Sequence, residues 1–128
     1  MAIITPIATA IAGGWLVGWY GLASGDSGMP WPSDAAPHPN DVATLTDRCV
    51  QLFGGTVGTL FVEGSNAIAT TANAWATLHL VDGTTACSMT TAGIRQVLEA
   101  SYFTRPVMTA GSSGTCVLMK FVQSAQRY

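Results

Sequence analysis

Two histidines, three cysteines and seven acidic residues are the raw material for any chemistry in this chain. His38 lies between Pro37 and Pro39, where the backbone is fixed but no partner is in evident reach. His79 sits inside an apolar alternating run, the ordinary setting of a structural strand residue. The serines fall in turns, and no Gly-x-Ser-x-Gly elbow presents one as a nucleophile. The acids are isolated, so no pair of carboxylates is placed for general acid–base work. There is no phosphate-cradling P-loop and no dinucleotide fingerprint. Arg105, just before Pro106, can pair with Glu63 or Glu99 across the sheets, which is expected to be a structural ion pair. Cys49, Cys87 and Cys116 are far apart, with neither CxxC nor Cys/His ligand spacing, which argues against zinc. Each falls in a strand-like run and reads as a small buried hydrophobe; one disulfide among them stays open. The expectation is a non-enzyme with no cofactor and no metal.

Charge points the same way. Asp, Glu, Lys and Arg make up 9% of the chain, against about 25% in ordinary soluble proteins. Apolar residues are at 48%, so the chain can build a core rather than remain disordered. A surface with so little charge suits a protein packed against others more than a free, concentrated monomer. The net charge is −2 and the basic residues Arg48, Arg95, Arg105, Lys120 and Arg127 are scattered. No electrostatic footprint for nucleic acid results.

The elements that position these residues read as short strands. Residues 46–53 alternate, with Arg48, Val50 and Leu52 on one face and Cys49, Gln51 and Phe53 on the other. Residues 59–63 form the next strand, closed by Gly64-Ser65-Asn66. Residues 75–81 alternate again, placing Trp75, Thr77, His79 and Val81 together; Trp75 is expected in the core between the sheets. Asp82-Gly83 marks a tight turn. Strands over 85–90, 94–98 and 102–109 follow, Pro106 marking the last of these as an edge or bulge, and 115–123 closes the series. The spacing predicts an antiparallel β-sandwich or jelly roll of about seven or eight strands.

Before Asp26 no side chain carries a charge. Residues 3–22 are long enough for a membrane helix. Pro6, Gly13, Gly14, Gly18 and Gly21 interrupt it, however, and no Lys or Arg flanks it, so membrane insertion is not expected. A signal peptide would need a basic start. The segment can also pack into the chain's own core. The preferred reading is an extended N-terminal arm that buries apolar residues on a neighbouring subunit, with Trp15, Trp19, Tyr20 and Trp31 as candidate interface residues. The Pro/Gly-rich stretch 23–40 then acts as a stiff spacer. The division is an arm and linker at 1–40 and a sandwich at 41–128. A self-associating chain follows, with a trimer as the expected closed state.

The order of segments carries a resemblance. A strand ending in Glu63-Gly64-Ser65-Asn66 precedes the Trp75 strand. Then come Thr91-Ala92-Gly93-Ile94-Arg95-Gln96-Val97, Tyr102-Phe103-Thr104-Arg105-Pro106-Val107 and a last apolar strand. Over roughly the last 80 residues this resembles the small β-sandwich proteins of tailed-phage virions. The resemblance implies a structural protein at the capsid surface, of decoration or cement type, with the major capsid protein and copies of itself as partners. A tail or head-fibre base is the alternative within virions. The same order is similar to discoidin-type sandwiches, implying a carbohydrate-binding module. Residues 67–74 replace the acidic turn of that family with Ala and Thr, which offer a sugar few hydrogen bonds.

Overall fold

Alternation of apolar residues decides nearly every strand here, including those before residue 40. The computed structural model describes residues 2–33, 35–39, 42–54, 58–66, 75–109 and 114–123. Within them lie eleven strands: β1 (Ile3–Ile4), β2 (Ile7–Ile11), β3 (Gly14–Leu22), β4 (Ser27–Gly28), β5 (Asp47–Phe53), β6 (Leu60–Ser65), β7 (Ala76–Thr77), β8 (Ser88–Met89), β9 (Gly93–Val97), β10 (Phe103–Met108) and β11 (Thr115–Val122). The fold is all-β and built of two sheets. Sheet I runs β1-β4-β10-β6-β7, with β8 also on β6; sheet II runs β2-β3-β11-β5-β9. The pairings are antiparallel except that of β1 with β4, which is parallel. The 67–74 loop falls outside the described residues.

The largest departure from expectation is at the N-terminus. No arm leaves the molecule over residues 3–28: they supply β1 to β4, and β3 lies inside sheet II between β2 and β11. Val17, Trp19 and Leu22 are fully buried in the same core as Val50, Leu52, Val62, Val117 and Phe121. A boundary at residue 40 therefore does not separate arm from core. The glycines that would break a helix are tolerated in a strand, and some are needed. At Gly14 a Cβ would run into the Phe121 backbone carbonyl, and at Gly28 it would meet Pro106 and Trp19 at 2.5 and 2.6 Å. Among the described residues no helix is long and apolar enough to cross a membrane.

Asp26 fastens this region. Its carboxylate accepts the backbone N–H of Ala23 at 2.9 Å and of Ala2 at 2.8 Å. These bonds hold its pKa below the usual carboxylate value. Asp82 does the same for its turn, accepting the Thr85 hydroxyl and the N–H groups of Thr85 and Thr84, and its pKa falls to about 2. A carboxylate depressed in the folded state contributes stability above its unfolded pKa and loses it as pH falls through the folded one. Thermal melts should thus lose stability between about pH 4 and pH 2, and Asp82→Asn should flatten that loss.

Pro106 is not on an edge. β10 has β6 on one side and β4 on the other. The Pro is accommodated because the β4 side of the ladder is thin. Thr104 and Trp31 exchange backbone bonds at 3.0 Å, Met108 donates to Asp26, and the missing N–H falls between them beside Gly28.

The 75–81 segment is also offset by one residue. Leu78 is buried and Leu80 packs against the core, while Trp75 is only half-buried. Trp75 lies outside the core, with the Arg105 guanidinium 4.2 Å from its ring centre. Because an exposed cation–π contact contributes only about 0.5–1 kcal/mol, Trp75→Ala should cost about 1 kcal/mol in a denaturant melt. That is well short of the ~3–5 kcal/mol of a core tryptophan.

Candidate assembly interface

The four aromatic residues singled out for a subunit interface separate in the structure. Trp19 and Trp31 are fully buried within the chain, and Trp15 packs against the core 6.0 Å from Trp31. Tyr20 alone of the four is exposed, at 44%. Its ring lies over Gly18 on the outer face of sheet II.

That outer face is the most unusual surface of the described molecule. The inward positions of β5 (Arg48, Val50, Leu52) and of β11 (Val117, Met119, Phe121) are buried, so Asp47, Cys49, Gln51 and Phe53, and Cys116, Leu118, Lys120 and Val122, face outward. Register extends the pattern across all five strands. One row reads Ile7, Gly18, Leu118, Gln51, Ile94, and the next reads Thr9, Leu16, Lys120, Cys49, Gln96. Ile7 is 63% exposed and Ile94 58%. Among the described residues of these five strands, Lys120 and Asp47 are the only charged side chains on this face. An outer sheet face normally alternates polar against the apolar inner side. Here the outer side mixes Ile7, Leu16, Leu118, Ile94 and Val122 with the uncharged polar Thr9, Gln51 and Gln96, and carries little charge. Asp47, Cys49, Ile94, Gln96, Lys120 and Val122 line an open groove of about 370 Å³ in it.

Arg48, one residue away, turns the other way. It is 2% exposed and donates to the Leu45 carbonyl at 3.2 Å and the Thr104 hydroxyl at 2.9 Å, with its guanidinium 5.1 Å from the centre of the Phe121 ring. Burial pushes its pKa down to about 10, so it remains a cation at neutral pH. It ties β5 of sheet II to β10 of sheet I.

A second concave region, of about 440 Å³, lies at the end of sheet I and includes Asn66, Thr77, His79, Glu99 and Ser101. The Glu99 carboxylate accepts the His79 backbone N–H and the His79 Nδ1–H, each at 2.6 Å. Partial burial pushes the Glu99 pKa up, but these bonds outweigh it and leave the carboxyl below its usual value. A histidine oriented by a carboxylate is half of a hydrolytic relay. The Ser101 hydroxyl in this cleft is committed to the Phe103 carbonyl at 2.9 Å. Leu98 donates to the His79 carbonyl at 2.8 Å and Leu80 bridges Val97, so the pair clamps the place where the sheets meet. His38 is exposed, its Nδ1 2.9 Å from the Pro39 carbonyl.

Arg105 pairs with Glu63 at 2.8 Å, the partner being the directly opposed residue of β6. The three cysteines are free thiols: Cys87 is buried, its pKa raised to about 11 chiefly by that burial, while Cys49 and Cys116 stand on the outer face of sheet II. Among the described residues no three His, Cys, Asp or Glu side chains gather as metal ligands. Comparison with protein-family models, curated proteins and solved structures gave no match.

Proposed function

We propose that this chain is a structural component of a tailed-phage virion, a capsid decoration or cement protein that acts by contact and without catalysis. The observation that carries this reading is the charge-poor outer face of sheet II, with Ile7 and Ile94 exposed on it. A five-stranded surface with one lysine and one aspartate loses much of its cost in water only when a protein partner covers it. The low overall charge and the resemblance of residues 60–122 to small virion sandwiches support the same reading. The partners are then the major capsid protein and further copies of the chain, and the location is the capsid surface. A tail or head-fibre position would use the same face. A carbohydrate-binding module has less to draw on, because Arg105 occupies one face of the Trp75 ring.

The test is particle composition. Purified virions of the phage encoding the sequence should contain the chain in copy numbers comparable to the major capsid protein. Reconstructed density should place it on the outer shell. Its absence from washed particles would overturn the proposal, and density confined to the tail would move it to that alternative.

A further inference from the structure

We infer that β2, a free edge of sheet II, pairs antiparallel with β2 of a second copy of this chain about a two-fold axis at Thr9, joining the two sheets edge to edge. The two edges of sheet II are built differently. On β9, Arg95 is exposed at an inward position, two residues before the buried Val97. An inward-pointing charge on an edge strand is one of the devices that keep a further strand from adding there. β2 has no such device. Its residues Ile7–Ile11 hold no charge and no proline, and they pair with β3 in unbroken register. Among the described residues no strand lies beyond β2, and β1 and β4 of sheet I pack against β3, one strand further in. Ala10, inward in phase, is exposed beneath this overhang. In an antiparallel ladder, alternate residues of an edge strand turn both N–H and C=O away from their neighbour. β2 therefore offers a row of backbone donors and acceptors to an incoming strand.

The sequence of the strand selects a second copy as the occupant. Ile7-Ala8-Thr9-Ala10-Ile11 reads the same in both directions. A two-fold normal to the sheet, between the two Thr9 residues, sets Ile7 opposite the partner's Ile11 and Ala8 opposite the partner's Ala10. Thr9 faces the partner's Thr9. Every position meets its own residue type, which is the self-complementarity an isologous interface requires. An axis normal to the sheet also keeps outward residues outward. Ile7, Thr9 and Ile11 stay on the outer face, and the alanines stay on the inner one. Directly opposed side chains have Cβ atoms about 4.5–5.5 Å apart, so Ile7, 63% exposed in the single chain, packs on an isoleucine. With two or three residues of each strand turned outward, about four to six backbone hydrogen bonds form. Strand addition draws its affinity from such bonds and its selectivity from the alternating side chains. The outer face of sheet II stays open, so this pairing and the shell contact use different surfaces, and the inference goes beyond the assembly reading without depending on it.

Sedimentation of the full-length reduced protein at tens of micromolar should give a dimer. Thr9→Lys and Thr9→Glu each set like charges against one another at the axis and should weaken dimerisation about tenfold or more. Mixing the two variants should restore a dimer to within about threefold of the wild-type affinity, which also shows that both fold. In a Cys49→Ser/Cys116→Ser background, Thr9→Cys should oxidise to a covalent dimer. Directly opposed residues lie about 4.5–5.5 Å apart at Cα, within disulfide reach. Ala8→Cys should not, because it is offset from its own copy by two residues, about 8 Å away. A wild-type monomer, a trimer, a mixture that stays monomeric, or equal cross-linking by Thr9→Cys and Ala8→Cys would overturn the pairing. The proposed function fails separately: a wild-type monomer that still binds particles ends the pairing alone, and a dimer absent from particles ends the virion reading alone.

Discussion

Deleting residues 1–22 should abolish cooperative folding. The deletion removes β1, β2 and β3, and with β3 the fully buried Val17, Trp19 and Leu22. It also strips β11 of its neighbour along one whole edge, from Thr115 to Val122. Fully burying one large apolar side chain contributes about 1.5–3 kcal/mol. Loss of three such residues with a central strand therefore exceeds much of the 5–15 kcal/mol that stabilises a typical domain. The truncated chain should show no cooperative thermal transition and should expose hydrophobic surface to a reporter dye. A truncated product that melts cooperatively would restore the detachable arm.

Trp31→Ala is the point substitution expected to cost most. The side chain is fully buried, with its ring centre 4.8 Å from that of Phe121 and 6.0 Å from that of Trp15. Its Nε1–H donates to the Pro37 carbonyl at 2.9 Å, and its backbone exchanges hydrogen bonds with Thr104. Truncation leaves a large cavity and removes the donor, for a loss of about 3–5 kcal/mol. In a domain of this size that lowers the melting temperature by on the order of 10–20 °C. Trp31→Phe keeps most of the volume and should recover much of the loss, leaving the share due to the Pro37 hydrogen bond. A melting temperature unchanged in Trp31→Ala would mean that the 29–33 segment does not close the core.

β5, β6, β10 and β11 were legible because alternation and turn chemistry agree there, whereas the strands expected over 75–81 and 85–90 shrink to Ala76–Thr77 and Ser88–Met89. Arg48, Val50 and Leu52 share the buried side of β5, as their spacing requires, and Asp82 caps the turn that Asp-Gly announces. The N-terminal strands were obscured by their glycines. Counted against a helix, Gly14, Gly18 and Gly21 look like interruptions. Counted in twos, Trp15, Val17 and Trp19 form an inward row, a signal present in the sequence but outweighed by the absence of charge. Trp75 misled in the opposite way. Bulk suggested a core position, yet Leu78 and Leu80 on the other phase are what the core receives, and the indole is used at the surface by Arg105. The charge-poor outer face of sheet II could not be read from any single strand. It emerges only when register lines up Ile7, Leu118 and Ile94 from three strands far apart in sequence.

The claim that this face is covered by protein in the assembled state can be measured through its own thiols. Cys49 and Cys116 stand on the face, whereas Cys87 is buried in the core and serves as an internal standard. Maleimide labelling rates should be compared for the full-length protein at high dilution and bound to phage particles, with each cysteine followed by peptide mass spectrometry. The account predicts that Cys49 and Cys116 react readily when dilute and slow by at least about tenfold when assembled, while Cys87 stays slow in both. Equal rates for Cys49 and Cys116 in the two states would show the face open to solvent in the assembly and would contradict the account.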